Sequence, residues 1–179
     1  MPDDELSDIV RRQQSAGFPD LAGAEASVTL PIADRLINEF ITAKVPPGAA
    51  VRDVRLRSHD ANEIEVSFQV ARGSFNFAVT LTLVIDEQPS MPQQPLLGLR
   101  LTKLPGVLAL AAPVLRFFDV LPPGVSLDGQ RVRINLKTLL AEQGNADLLD
   151  YVTWLQVTTQ PGAVVIAARA AIDSSKSRS

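Results

Sequence analysis

Between Asn62 and Ile85 the chain alternates apolar and polar residues with a period of two. Ile64, Val66, Phe68 and Val70 are interleaved with Glu63, Glu65, Ser67 and Gln69. After Arg72-Gly73 the pattern resumes, with Phe75, Phe77, Val79, Leu81, Leu83 and Ile85 set against Ser74, Asn76, Ala78, Thr80, Thr82 and Val84. Strand side chains point to opposite faces in turn, so this pattern predicts a β-hairpin with one dry face and one wet face. The dry face must be covered, and that requirement constrains the fold of everything around it. It names no chemistry.

The flanking segments supply the cover and extend the sheet. Val28-Thr29-Leu30 reads as a short strand, and Pro31 suits the first turn of a helix. Ile32, Leu36, Ile37, Phe40 and Ile41 form an apolar stripe at helical spacing, ended by Pro46-Pro47-Gly48. Val51 to Arg57 reads as a strand with Val54 and Leu56 on one face, and Leu97, Leu99 and Leu101 mark another beyond a proline-rich connection. Pro105 to Phe118 is apolar nearly all round, with Arg116 its only charge and Pro113 a point of division. Such a segment is docked in a core, touches an apolar ligand or membrane, or forms a subunit interface. Val125 to Leu136 reads as a second hairpin turning at Asp128-Gly129. Lys137–Glu142 and Asp147–Leu155 read as helical segments parted by Gly144, and Gln156 to Ile172 as a closing hairpin. Strands linked by hairpins, without a βαβ rhythm, point to α+β with an antiparallel sheet packed on amphipathic helices. The domain is expected over 27–172, with 1–26 an appendage (a short helix or disordered) and 173–179 a disordered tail.

Apolar residues make up 46% of the chain but aromatics only 5%, with one Trp and one Tyr, so few rings are available to stack on bases or sugars. A net charge of −3 disfavours nucleic acid as a partner. Arg52, Arg55 and Arg57, and Arg131, Arg133 and Lys137, read as solvated strand faces or as an anion or headgroup patch. The absence of cysteine removes disulfides and thiolate chemistry. The acidic start, Met1 to Glu5, has no apolar region after it and does not read as a signal peptide. The longest apolar run, Leu104 to Leu115, would span about 18 Å as a helix, short of a ~30 Å hydrocarbon core. A soluble, cytoplasmic protein is expected.

No catalytic constellation stands out. Ser58-His59-Asp60 sits in an expected turn, where neighbouring side chains diverge, and His59 is the only histidine. Glu63 and Glu65 share a strand face and Asp147 and Asp150 a helix face, without an evident dry pocket between either pair. No phosphate-binding loop, metal-ligand spacing or cofactor motif occurs. The expectation is a protein that is not an enzyme and takes no cofactor or metal. Tyr151 and Trp154, one helical turn apart in this reading, either line a pocket mouth or close the core.

The run Val28-Thr29-Leu30-Pro31-Ile32-Ala33-Asp34-Arg35-Leu36-Ile37-Asn38-Glu39-Phe40-Ile41 resembles the short strand and opening helix of the tubular lipid-binding (TULIP) superfamily. That superfamily includes bacterial YceB-like periplasmic lipoproteins and, more distantly, BPI-like proteins. The resemblance continues through the alternating strands from Val51 to Ile85 and through Leu97-Gly98-Leu99-Arg100-Leu101. It ends at Pro161-Gly162-Ala163-Val164-Val165-Ile166, which is similar to the family's closing hairpin. It implies a strongly curved sheet around a helix, with an apolar cavity that holds acyl chains. Family members are usually exported, and this chain shows neither a signal peptide nor a lipobox.

Together these readings give an expectation of non-enzymatic binding of a lipid or another elongated apolar ligand. The candidate lining is Phe68, Phe75, Phe77, Leu99, Leu110, Leu115, Phe118 and Trp154, which are equally residues of a plain core. The alternative is a structural or adaptor protein with a filled core, acting through protein contacts. Peripheral membrane contact and a homo-oligomer both stay open.

Overall fold

The computed structural model describes residues 23–45, 51–72, 75–103, 123–142 and 144–172. In chain order the elements are β1 (Glu25–Ala33), α1 (Asp34–Lys44), β2 (Val51–Ser58), β3 (Glu63–Arg72), β4 (Phe75–Glu87), β5 (Leu96–Lys103) and β6 (Val125–Asp128). They continue with β7 (Arg131–Asn135), α2 (Leu136–Ala141), a 3-10 helix (Ala146–Tyr151), β8 (Val152–Gln160) and β9 (Ala163–Ala171). The strands form two antiparallel sheets, one of six in the order β2-β3-β4-β5-β7-β6 and one of three in the order β1-β9-β8.

The period-two hairpin forms the centre of the larger sheet. Ile64 lies opposite Leu83, Val66 opposite Leu81, Phe68 opposite Val79 and Val70 opposite Phe77. Residues directly opposite share a face, so these pairs build one apolar layer. Leu101 and Leu99 of β5 extend it beside Leu83 and Ile85, and Val132 of β7 lies beyond Leu99. On the other side Val51 and Leu56 of β2 join beside Val70 and Val66. α1 packs on β2, and its Ile41 and the following Val45 meet the core there. Of the expected helical stripe, Ile32 belongs to β1 instead, and Leu36 and Phe40 are exposed.

Two local differences from the sequence reading have physical causes. The turn between β6 and β7 is Gly129-Gln130, one residue later than the Asp-Gly signal suggested, because Asp128 pairs with Arg131. Gly129 has φ +61° and Gln130 a negative φ, so glycine fills the first loop position, as a type II′ turn requires. The helix expected over Asp147–Leu155 stops at Tyr151. Val152 onward pairs with β9, and cross-strand pairing overrides the weak helical periodicity. At the register shift between Ile85 and Glu87, Gly98 lies so close to β4 that a Cβ there would stand 2.7 Å from the Cβ of Glu87. The apolar segment Pro105–Phe118, the N-terminal 22 residues and the last seven lie outside the described residues.

The outer edges of two strands are closed by side chains rather than by further strands. Asn38 of α1 donates from Nδ2 to the carbonyl of Leu56 (2.9 Å) and accepts from its N–H (2.7 Å), so one amide occupies both groups of that β2 residue. Gln88 does the same to Val157 of β8, with bonds of 2.8 and 2.9 Å. Asn62 accepts from the N–H of Thr159 at 3.3 Å. These last two contacts, with Gly162 N–H donating to the Ser58 carbonyl (3.1 Å), fasten the three-stranded sheet to the larger one. Gln88→Ala leaves the N–H and C=O of buried Val157 without those partners, and is expected to cost about 1–3 kcal/mol. Hydrogen exchange should show the Val157 amide opening at least about tenfold faster; unchanged protection would refute this role for Gln88.

Candidate functional site

The three-stranded sheet repeats the logic of the central hairpin on a smaller scale. Its pairing sets four rows across one face: Ile32–Val164–Thr159, Leu30–Ile166–Val157, Val28–Ala168–Leu155 and Ala26–Ala170–Val152. Nearly every residue in these rows is apolar. The other face carries Ser27, Thr29, Gln156, Trp154 and Arg169 beside Pro31, Val165 and the alanines of β9, so it is the more polar, wetter side.

The dry side is covered over β8 and β9 and exposed along the outer strand β1. Val157 is buried within the main core, and Val164 packs against that core. On β1, Leu30, in the same row as Val157, and Val28 in the next are 52% and 55% exposed. From Val164 to Ala170 the rows run roughly 20 Å, at ~3.4 Å per residue. The result is a continuous apolar track that begins in the interior and ends at the surface. It offers shape and apolar contact, and no acid–base or nucleophilic group.

The candidate lining residues occupy different places. Phe68 and Leu99 are buried on the inner face of the larger sheet. Phe77 shares that face but is exposed, and Phe75 pairs with Arg72 at the start of β4. Phe77 stands eight residues from Ile85, the partner of Leu99, a distance of about 27 Å along β4, so the two do not meet. Trp154 lies on the wet side of the smaller sheet, where the Arg169 guanidinium sits 5.2 Å from its ring centroid, a cation–π contact. Leu110, Leu115 and Phe118 lie outside the described residues. The track instead uses Val28, Leu30, Leu155, Ile166 and Ala168, which the sequence reading did not single out. Val28-Thr29-Leu30 was its one visible signal. β9, Ala-Val-Val-Ile-Ala-Ala-Arg-Ala-Ala, has small apolar residues on both faces, so its alternation does not show.

The polar residues weighed as chemistry are engaged elsewhere. The Ser58 hydroxyl donates to Asp34 Oδ1 (2.7 Å), and the Ser58 N–H to Asp34 Oδ2 (2.7 Å). The backbone carbonyl of His59 accepts from the Thr159 hydroxyl. Glu65 lies across from Arg57 on the wet face of the larger sheet. The basic row there is balanced by acids: Arg100 and Arg131 both reach Asp86 (3.3 and 3.1 Å), and Arg133 reaches Asp128 (3.3 Å). Lys137 pairs with Asp150 at 3.5 Å. Such exposed pairs add little stability, but they offset part of the charge that an anion patch at Arg131, Arg133 and Lys137 would need.

Among the described residues no cluster of three or more His, Cys, Asp or Glu side chains could hold a metal ion, and no helix is long and apolar enough to cross a membrane. No family model, curated protein or solved structure matches this chain.

Proposed function

We propose that this protein binds a lipid or another elongated apolar ligand, without catalysis, and that the ligand lies along the dry side of the three-stranded sheet. The observation that carries this reading is the track itself: apolar rows continuous with the core that run out to Val28 and Leu30, each more than half exposed. Full burial of such a side chain is worth roughly 1.5–3 kcal/mol, and a ligand covering the exposed half would recover about half of that per residue. A TULIP-like architecture, with a curved sheet wrapped on helices around an apolar cavity, belongs to the same proposal. It is supported by the order of an opening strand and helix, long antiparallel strands and a closing hairpin, and by β9 pairing back onto β1.

Native mass spectrometry of gently purified protein, followed by organic extraction, is expected to show co-purifying lipid. A fluorescent fatty acid should bind, and Leu30→Asp should weaken it at least about tenfold, since it removes an apolar contact and sets a charge against the ligand, together worth more than the ~1.4 kcal/mol per decade. Protein that carries no lipid and takes up neither fatty acid nor phospholipid would sink the proposal.

A further inference from the structure

β1 is an outer strand of the three-stranded sheet, and eight of its nine residues are exposed. The N–H of Asp34 donates to the Gly162 carbonyl (2.9 Å), and the N–H of Ile172 donates to the Ala24 carbonyl (3.0 Å). Between these two bonds the register with β9 is unbroken. Even-numbered residues of β1 therefore point their backbone groups at β9, and odd-numbered residues point theirs outward. Pro31 falls in the outward set, where its missing N–H takes nothing from the β1–β9 ladder.

Natural edge strands of this length are protected by charges, prolines, bulges or a covering element. The edges of β2 and β8 carry such protection in Asn38, Gln88 and Asn62. β1 has no bulge in its pairing, and its protection is confined to its ends, Glu25 at its first position and the outward-facing Pro31 near its last, which leaves the outward groups of Ser27 and Thr29 open between them. Its sequence is also its own complement. In an antiparallel pair about a two-fold axis at Val28, Ser27 of each copy lies opposite Thr29 of the other, and both present outward N–H and C=O groups. Val28 then faces Val28 of the second copy across a non-hydrogen-bonded pair with Cα atoms about 4.5 Å apart. Leu30 faces Ala26, again apolar on apolar. Glu25 falls opposite Pro31, and the two Glu25 residues stand six positions, roughly 20 Å, apart, beyond the ~8 Å over which physiological salt screens charge.

We propose that β1 is a self-association edge: two copies pair antiparallel through β1 and join their three-stranded sheets into one of six. This goes beyond the ligand-binding reading and does not depend on it, since it rests on the backbone edge. In the joined sheet the two apolar tracks lie side by side on one face.

Sedimentation equilibrium of the full chain, from low micromolar to near-millimolar concentration, is expected to show a reversible monomer–dimer equilibrium. Val28→Lys and Val28→Glu each place like charges across the axis and should weaken self-association at least about a hundredfold. An equimolar mixture of the two should recover the dimer. A wild-type chain that stays monomeric throughout would overturn the proposal. So would a Val28→Lys chain that dimerises like wild type, or a mixture that remains monomeric. If circular dichroism shows that the Val28 variants do not fold, Thr29→Pro decides the matter. It removes one outward N–H and leaves the β1–β9 ladder whole, so a folded monomer supports the pairing and a folded dimer of wild-type affinity refutes it.

Discussion

Truncation of Leu81 to Ala is expected to destabilise the protein by about 3–5 kcal/mol, the upper part of the range for buried Leu→Ala changes. Leu81 has no exposed surface, and its cross-strand partner Val66 is buried. On its own strand Val79 and Leu83 hold the same face, and both are buried. β4 has β3 on one side and β5 on the other, so its backbone cannot shift to fill the space without breaking a ladder. The cavity therefore stays open, and a cavity that cannot collapse is the costly kind. Against a typical total stability of ~5–15 kcal/mol this is a large share. Urea unfolding should show a lower midpoint with an unchanged slope. A loss below about 1.5 kcal/mol would mean that the core is looser at this point than its burial implies.

Asp34→Ala is expected to cost about 2–4 kcal/mol, although the residue removed is polar and only half-buried. Its two carboxylate oxygens take up the N–H and the hydroxyl of Ser58, a residue with 2% of its surface exposed. Without them two buried donors lose their acceptor, and each such loss costs about 1–3 kcal/mol. The effect reaches beyond one contact. The Asp34 N–H donates to Gly162, whose own N–H donates to the Ser58 carbonyl. Three segments, the start of α1, the end of β2 and the turn between β8 and β9, are thus fixed at one point. Ser58→Ala removes only the hydroxyl bond and should cost less than Asp34→Ala. The double variant should lose less than the sum of the two singles, because the hydroxyl bond is counted in both. Strict additivity in thermal or urea unfolding would show that the residues act separately.

The larger sheet was legible because its alternation is strict: from Ile64 to Ile85 apolar and polar residues trade places at nearly every step, and the register follows from it. The smaller sheet was only half legible. β9 carries alanine on both faces, and alanine does not report which side is dry. Where β8 starts was obscured by Leu148, Leu149 and Val152, which fit a helical face until the cross-strand partner of Val152, Ala170, is known. The candidate site was the least legible part. Whether an apolar side chain is covered depends on which strand lies beside it, and β1 and β9 are brought together from opposite ends of the domain. Local pattern could name Phe68 and Leu99 as apolar and inward, and both are buried. It could not see that Val28 and Leu30 would be left exposed on the outer strand of a sheet whose far strand buries Val157.

The three amides that close strand edges, Asn38, Asn62 and Gln88, carry no proton that comes off or goes on across the physiological range and no net charge for salt to screen. Edge protection by lysine or glutamate weakens as ionic strength rises or as pH approaches a side chain's pKa. Protection by an amide that copies a backbone unit does not. These three edge contacts are consequently insensitive to ionic strength and to pH across the physiological range.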